Sequence, residues 1–138
     1  MKRIAVPAND EDPALIVEFV EEVLAEYEYS PKAFFQIQVA IEEIFVNIVR
    51  YSGLSPNGSI EVCCEVLDEP LRAVLSFIDG GIPFNPLASG EPDITPEGLM
   101  GREGGLGIFM VKQMMDDVSY AHEDGKNILT ITKTLVEG

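Results

Sequence analysis

Apolar residues recur along the chain in two different rhythms, and the places where the rhythm changes divide it into elements. Residues 2–6, Lys-Arg-Ile-Ala-Val, read as a short strand. A helical period follows: Asn9 or Asp10 is placed to cap a helix running to about Tyr29, with Leu15, Phe19, Val23 and Tyr27 as its inner stripe. Ser30-Pro31 puts a capping hydroxyl ahead of a proline at the first helical position, which opens a longer helix to about Tyr51. That helix is hydrophobic nearly all round and is expected to be buried. Residues 53–58 are rich in turn formers. Residues 59–66 and 71–78 alternate as two strands around the acidic turn Leu67-Asp-Glu-Pro70, so a hairpin is expected. A helix from Gly105 to about Met115, with Ile108, Phe109, Val111, Met114 and Met115 as its buried residues, precedes a closing hairpin of residues 118–122 and 127–135 around Glu123-Asp-Gly125. The order predicts an α+β fold, a two-layer α/β sandwich in which a mostly antiparallel mixed sheet is covered on one face by about three helices.

Residues 79–105 break both rhythms. They are rich in Gly and Pro, and loops of that length inside a compact domain are usually functional lids or disordered.

Composition narrows the function. A chain of 138 residues with 46% hydrophobic residues fits a single domain, 1–138, with a real core. The net charge of −15, from 24 acidic and 9 basic residues, argues against a nucleic-acid partner, which needs clustered Lys and Arg. An anionic ligand has to be held by a metal ion, backbone amides or helix N-termini instead. No run approaches 18 apolar residues and the N-terminus has no signal-like apolar stretch, so a cytoplasmic protein without a membrane span is expected. Cys63 and Cys64 are adjacent in a strand, where their side chains point to opposite faces. That disfavours a mutual disulfide or a metal site and fits small core residues in a reducing compartment.

Three segments carry candidate chemistry. Glu43 and Asn47 lie four residues apart in Gln38-Val-Ala-Ile-Glu-Glu-Ile-Phe-Val-Asn-Ile-Val, one helical turn apart on one face. A buried carboxylate and amide are costly unless something pairs with them, so they either bond locally or line a ligand cavity. In Ile78-Asp-Gly-Gly-Ile-Pro-Phe a strand ends in an Asp followed by two glycines. This is either a plain turn or an acceptor for a ligand amine beside a backbone that permits close approach. Gly104-Gly-Leu-Gly107 precedes a helix. Its glycines expose N–H groups suited to phosphate, although the spacing matches neither a P-loop nor the dinucleotide fingerprint.

Together the three segments resemble the nucleotide-binding boxes of the GHKL ATPase superfamily, which includes gyrase B, Hsp90, histidine-kinase catalytic domains and MutL. The Glu43-x-x-x-Asn47 helix is similar to the N box, Asp79-x-Gly81 to the G1 box and Gly105-x-Gly107 to the G2 box, with a lid of about 84–104 between the last two. Asp79-Gly-Gly-Ile-Pro-Phe-Asn-Pro and Gly105-Leu-Gly-Ile-Phe-Met-Val-Lys-Gln-Met-Met-Asp look most like the anti-sigma-factor serine/threonine-protein kinases. The resemblance implies ATP and Mg²⁺ as cofactors. It gives Asn47 the metal, Glu43 the catalytic task of orienting or deprotonating the attacking group, and Asp79 the adenine amine. Gly81 would pack under the ring, while Gly105, Leu106 and Gly107 would hold phosphates through backbone amides and Arg102 would reach the terminal phosphate. Pro83 stands where many relatives have the second G1 glycine, and Tyr51 where many have a His. The implied partners are a STAS-domain anti-sigma-factor antagonist and a sigma factor, with a homodimer expected and no direct contact with nucleic acid or membrane. The alternatives are a nucleotide-binding module acting by partner binding alone and a detached histidine-kinase catalytic domain. The lone His122 is expected on the surface.

Overall fold

The structure, a computed structural model, describes residues 1–8, 13–51, 53, 58–87 and 106–136. Along the chain these form β1 (Lys2–Pro7), α1 (Ala14–Leu24), α2 (Pro31–Tyr51), β2 (Ser59–Leu67), β3 (Arg72–Asp79), α3 (Leu106–Met114), β4 (Asp117–Glu123) and β5 (Lys126–Thr134). The five strands make one sheet in the order β1-β2-β3-β5-β4, and every pairing is antiparallel.

Strand alternation decides which face is covered. Ile60, Val62 and Cys64 of β2, Ala73, Leu75 and Phe77 of β3, and Leu129 and Ile131 of β5 share one face and pack in a single core with the helices. The helices contribute Ile16, Val20 and Leu24 from α1, Ile37, Ala40, Ile41, Ile44, Phe45 and Ile48 from α2, and Ile108 and Val111 from α3, with Met115 just beyond. Cys63 points to the other face, where its thiol donates to Glu61 Oε1 at 3.8 Å. Both cysteines are free and buried.

The turns follow local chemistry. Ser30 Oγ accepts from the Ala33 N–H at 3.4 Å and caps α2. The β4–β5 hairpin turns on Asp124 (φ 52°) and Gly125 (φ 76°), the pair of positive φ values that a type I′ turn requires.

Three expectations change. The first helix ends at Leu24 rather than Tyr29, and its core stripe is Ile16, Val20 and Leu24. Leu15 is 53% exposed, while Phe19 and Val23 are only partly buried. Ile16-Val17 and Phe19-Val20 offer two neighbouring apolar stripes, and the sheet takes the one a residue further on. Second, α2 is amphipathic rather than buried all round: Phe35, Glu42, Glu43, Val46 and Arg50 are exposed. The sheet covers its inner face and α3 only part of the rest. Third, Phe109 and Met114 are half-buried at the rim of α3. Asn9 and Asp10 lie outside the described residues.

Candidate functional site

Asp79 closes β3 in the same inward register as Ala73, Leu75 and Phe77. It therefore sits on the core face at the rim of the sheet. Asn127, directly opposite on β5, is inward in the register of Leu129 and Ile131. At 4% and 5% exposure they are the two buried polar side chains among the described residues, and such groups are tolerated only when hydrogen-bonded. Asp79 Oδ1 accepts from the Gly81 N–H at 2.9 Å and from Asn127 Nδ2 at 3.0 Å. Asn127 Nδ2 also donates to the Ile82 carbonyl at 2.8 Å, and Asn127 Oδ1 accepts from the Phe84 N–H at 3.2 Å and from the Tyr120 hydroxyl. The segment that follows Asp79 is thus pinned to the sheet on both sides of Pro83, which has no N–H to satisfy. Asn85 Oδ1 then accepts from the Leu87 N–H at 2.9 Å, an Asx turn that directs the chain past Pro86.

Above Asp79 lies a narrow cleft of about 20 Å³ between α2 and the sheet, walled by Ile44, Asn47, Phe77, Phe84 and Leu129 among others. Its lining is apolar except for Asn47, Asp79, Asn127 and Tyr120, the composition expected of a site for a flat heterocycle fixed by a few polar groups. Phe84 stacks on Tyr51, with ring centroids 5.3 Å apart and planes 26° apart.

On the other side of Asn47 is a second hollow, of about 60 Å³, bordered by Glu43, Val46, Asn47, Arg50, Tyr51, Gly107 and Ile108. The first turn of α3 meets α2 here. A methyl group built on Gly107 would lie 2.0 Å from Glu43 Oε2 and 2.9 Å from its Cδ, so the carboxylate occupies the space that any other residue at 107 would fill. Asn47, half-buried, borders both hollows.

Asn47 and Asp79 therefore border one hollow, Glu43, Asn47 and Gly107 the other, and Asn47 is common to both. Glu43 is exposed rather than buried, because its side of α2 faces the hollow and not the core. The Gly81 amide turns back onto Asp79, and Pro83 is exposed on the pinned segment. Leu106 opens α3, but its side chain, Arg102, Gly105 and the greater part of the expected lid lie outside the described residues.

The sequence model of the histidine kinase-like ATPase domain matches residues 6–133. The chain belongs to this family. Among curated relatives, the serine-protein kinase RsbW of Staphylococcus epidermidis is 33% identical over 100 residues, 68% of this chain and 62% of the relative. The serine-protein kinase RsbW of Bacillus cereus strain AH187 is 27% identical over 95 residues, 67% of this chain and 59% of the relative. The match thus spans about three fifths of the length of these relatives. Two solved structures share the fold. The RsbU and RsbW domains of Rv1364c from Mycobacterium tuberculosis superpose with a TM-score of 0.64 at 18% identity, over 98% of this chain and 33% of that one. The catalytic domain of histidine kinase ThkA superposes with a TM-score of 0.59 at 12% identity, over the whole of both chains.

In this histidine kinase-like ATPase domain, sequence reasoning missed four residues that shape the cleft: Arg50, Phe84, Tyr120 and Asn127. Arg50 borders the hollow of Glu43 and Gly107, its guanidinium carbon 5.9 Å from the Tyr51 ring centroid. Asn127 left a signal, since it takes an inward place in the alternation Asn127-Leu129-Ile131, where an apolar side chain is the rule. His122 is exposed on β4. No helix among the described residues is long and apolar enough to cross a membrane.

Proposed function

We propose that this chain is an ATP-dependent serine/threonine-protein kinase of the anti-sigma-factor type. In this reading it phosphorylates a Ser or Thr of a small STAS-domain antagonist and regulates a sigma factor by partner switching in the cytoplasm, as a homodimer. The observation that carries it is Asn47: one side chain borders both the apolar cleft over Asp79 and the hollow of Glu43 and Gly107. A purine on Asp79 and a triphosphate at the start of α3 are then spanned by a single ligand. The serine-protein kinase names of the curated relatives support the same class.

Each group has a task its chemistry suits. The carboxylate of Asp79 accepts from the exocyclic amine of adenine. The amides of the first turn of α3, Leu106 and Gly107 among them, present N–H groups and the positive end of a helix dipole to phosphate, with Gly105 and Arg102 proposed as further phosphate contacts. The side-chain oxygen of Asn47 suits Mg²⁺. Among the described residues no group of three or more His, Cys, Asp or Glu is gathered, and Mg²⁺ is commonly held by one or two protein oxygens together with phosphates and water. When bound, the ion neutralises charge on the phosphates. Glu43, accessible beside Gly107, accepts the proton of the attacking hydroxyl, since phosphoryl transfer asks mainly for positioning and charge compensation.

The test is phosphotransfer from Mg-ATP to STAS-domain antagonists, with Glu43→Ala alongside. Transfer by the native chain and its loss in the variant, with ATP binding retained in both, is the expected result. Absence of transfer to every antagonist, or partner regulation that survives Glu43→Ala, would refute it.

A further inference from the structure

We infer that Asn127 is a positioning residue that sets which face of Asp79 meets a ligand, and through it the preference for a base bearing an amine. The inference rests on the nucleotide reading of the cleft and names what enforces base choice within it.

The hydrogen-bonding capacity of Asn127 is fully used. A side-chain amide has two N–H donors and an oxygen with two lone pairs. Nδ2 serves Asp79 Oδ1 and the Ile82 carbonyl, with the Gly81 carbonyl a longer third partner at 3.5 Å, and Oδ1 receives the Phe84 N–H and the Tyr120 hydroxyl. The orientation of the amide is not free. A backbone N–H can only donate and a backbone carbonyl can only accept, so Phe84 demands the oxygen on its side and Ile82 the nitrogen on the other. Asn127 has nothing left for a ligand and is not a contact residue; it acts on Asp79.

That action is one-sided. Both donors to Asp79, the Gly81 N–H and Asn127 Nδ2, go to Oδ1. Among the described residues Oδ2 receives no hydrogen bond, and Asp79 lines the cleft. A carboxylate locked in this way presents an acceptor only. It complements a purine 6-amino group and repels a 6-oxo group. Without Asn127 the carboxylate is free to turn away from the base, so that both the hydrogen bond to an amine and the repulsion of an oxo group are lost.

The experiment compares the dissociation constants of Mg-ATP and Mg-ITP, which differ at purine position 6. The native chain is expected to prefer ATP by at least about tenfold, the discrimination of one well-made hydrogen bond to a charged group. Asn127→Asp keeps an oxygen for Phe84 and Tyr120 but removes both donors; it should cut the preference to below about threefold. Ile131→Val, a core change further along β5 and away from the cleft, supplies a destabilised control in which both nucleotides weaken alike and the preference stands. If the Asp variant does not fold, Tyr120→Phe removes one of the bonds that orient Asn127 without touching Asp79, and the preference should fall by about threefold. A native preference retained by whichever of these two variants folds overturns the inference while leaving the nucleotide reading intact. No binding of either nucleotide by the native chain overturns the nucleotide reading itself, whereas equal binding of the two, or a preference that survives Asp79→Asn, overturns both the placement of the base on Asp79 and this inference.

Discussion

Glu43 Oε2 lies where a side chain on Gly107 would have to begin. The two residues come from different helices, and their closeness fixes how α3 meets α2 at the cleft. Gly107→Ala therefore forces a choice. The obstructing atom is the end of a flexible side chain, so the carboxylate swings away rather than the helices parting. Alanine also favours the helix by up to about 1 kcal/mol. The expected outcome is a melting temperature unchanged or slightly raised, together with phosphotransfer lowered by roughly a hundredfold. Melting curves and single-turnover assays on one preparation check both halves.

Asp79→Asn should leave the fold standing and remove the ligand. Its amide oxygen still accepts from Gly81 and Asn127, so the apo protein should lose less than about 1.5 kcal/mol. The group facing the cleft, however, becomes a donor aimed at a donor. The native chain with ATP at about 100 times its Kd gains roughly 2.7 kcal/mol, and most of that gain should vanish in the variant. A variant still stabilised like the native chain would mean that the base lies elsewhere.

Burial pushes the Cys64 thiol up to about 11 and raises that of Cys63 as well. An acid whose folded pKa is raised holds its proton longer in the folded state. Its contribution to stability is complete below the unfolded value near 9 and is lost as pH climbs through 11. Stability should fall across that window by up to roughly 2 to 3 kcal/mol on account of Cys64. Denaturant titrations from pH 8 to 11 should show a shallower alkaline decline in Cys64→Ala, whatever its absolute stability. Native Cys64 should also resist alkylation at pH 8 until the chain unfolds.

Gly125 isolates a backbone effect. Its φ is +76° and a Cβ added there meets nothing within 4 Å. Gly125→Ala should cost about 1 to 2 kcal/mol through the left-handed conformation alone, with the preference between nucleotides unchanged. A neutral result in chemical denaturation would show that the turn relaxes.

The layered α+β architecture was legible because strand alternation and helical period are local signals. So was the family, because the spacing within Glu43-x-x-x-Asn47 and Asp79-x-Gly81 is a property of single elements. The exposure of Glu43 was not legible: whether one side of α2 meets core or hollow depends on where α3 lands, more than fifty residues later. The core stripe of α1 was missed by one position because two apolar stripes adjoin and only the sheet chooses between them. Asn127 was overlooked although its inward register was readable. Its partners Asp79, Ile82 and Phe84 are brought to it by strand pairing and by the turn after β3, not by proximity in sequence.

Asn47 borders two hollows built on different layers: the one over Asp79 rests on the sheet, and the one beside Gly107 rests on the helices. Any molecule long enough to fill both acts as a rivet between those layers. Amide hydrogens in residues 43 to 51 should then exchange more slowly once it is bound, so that occupancy is felt across the thickness of the protein as well as at its rim.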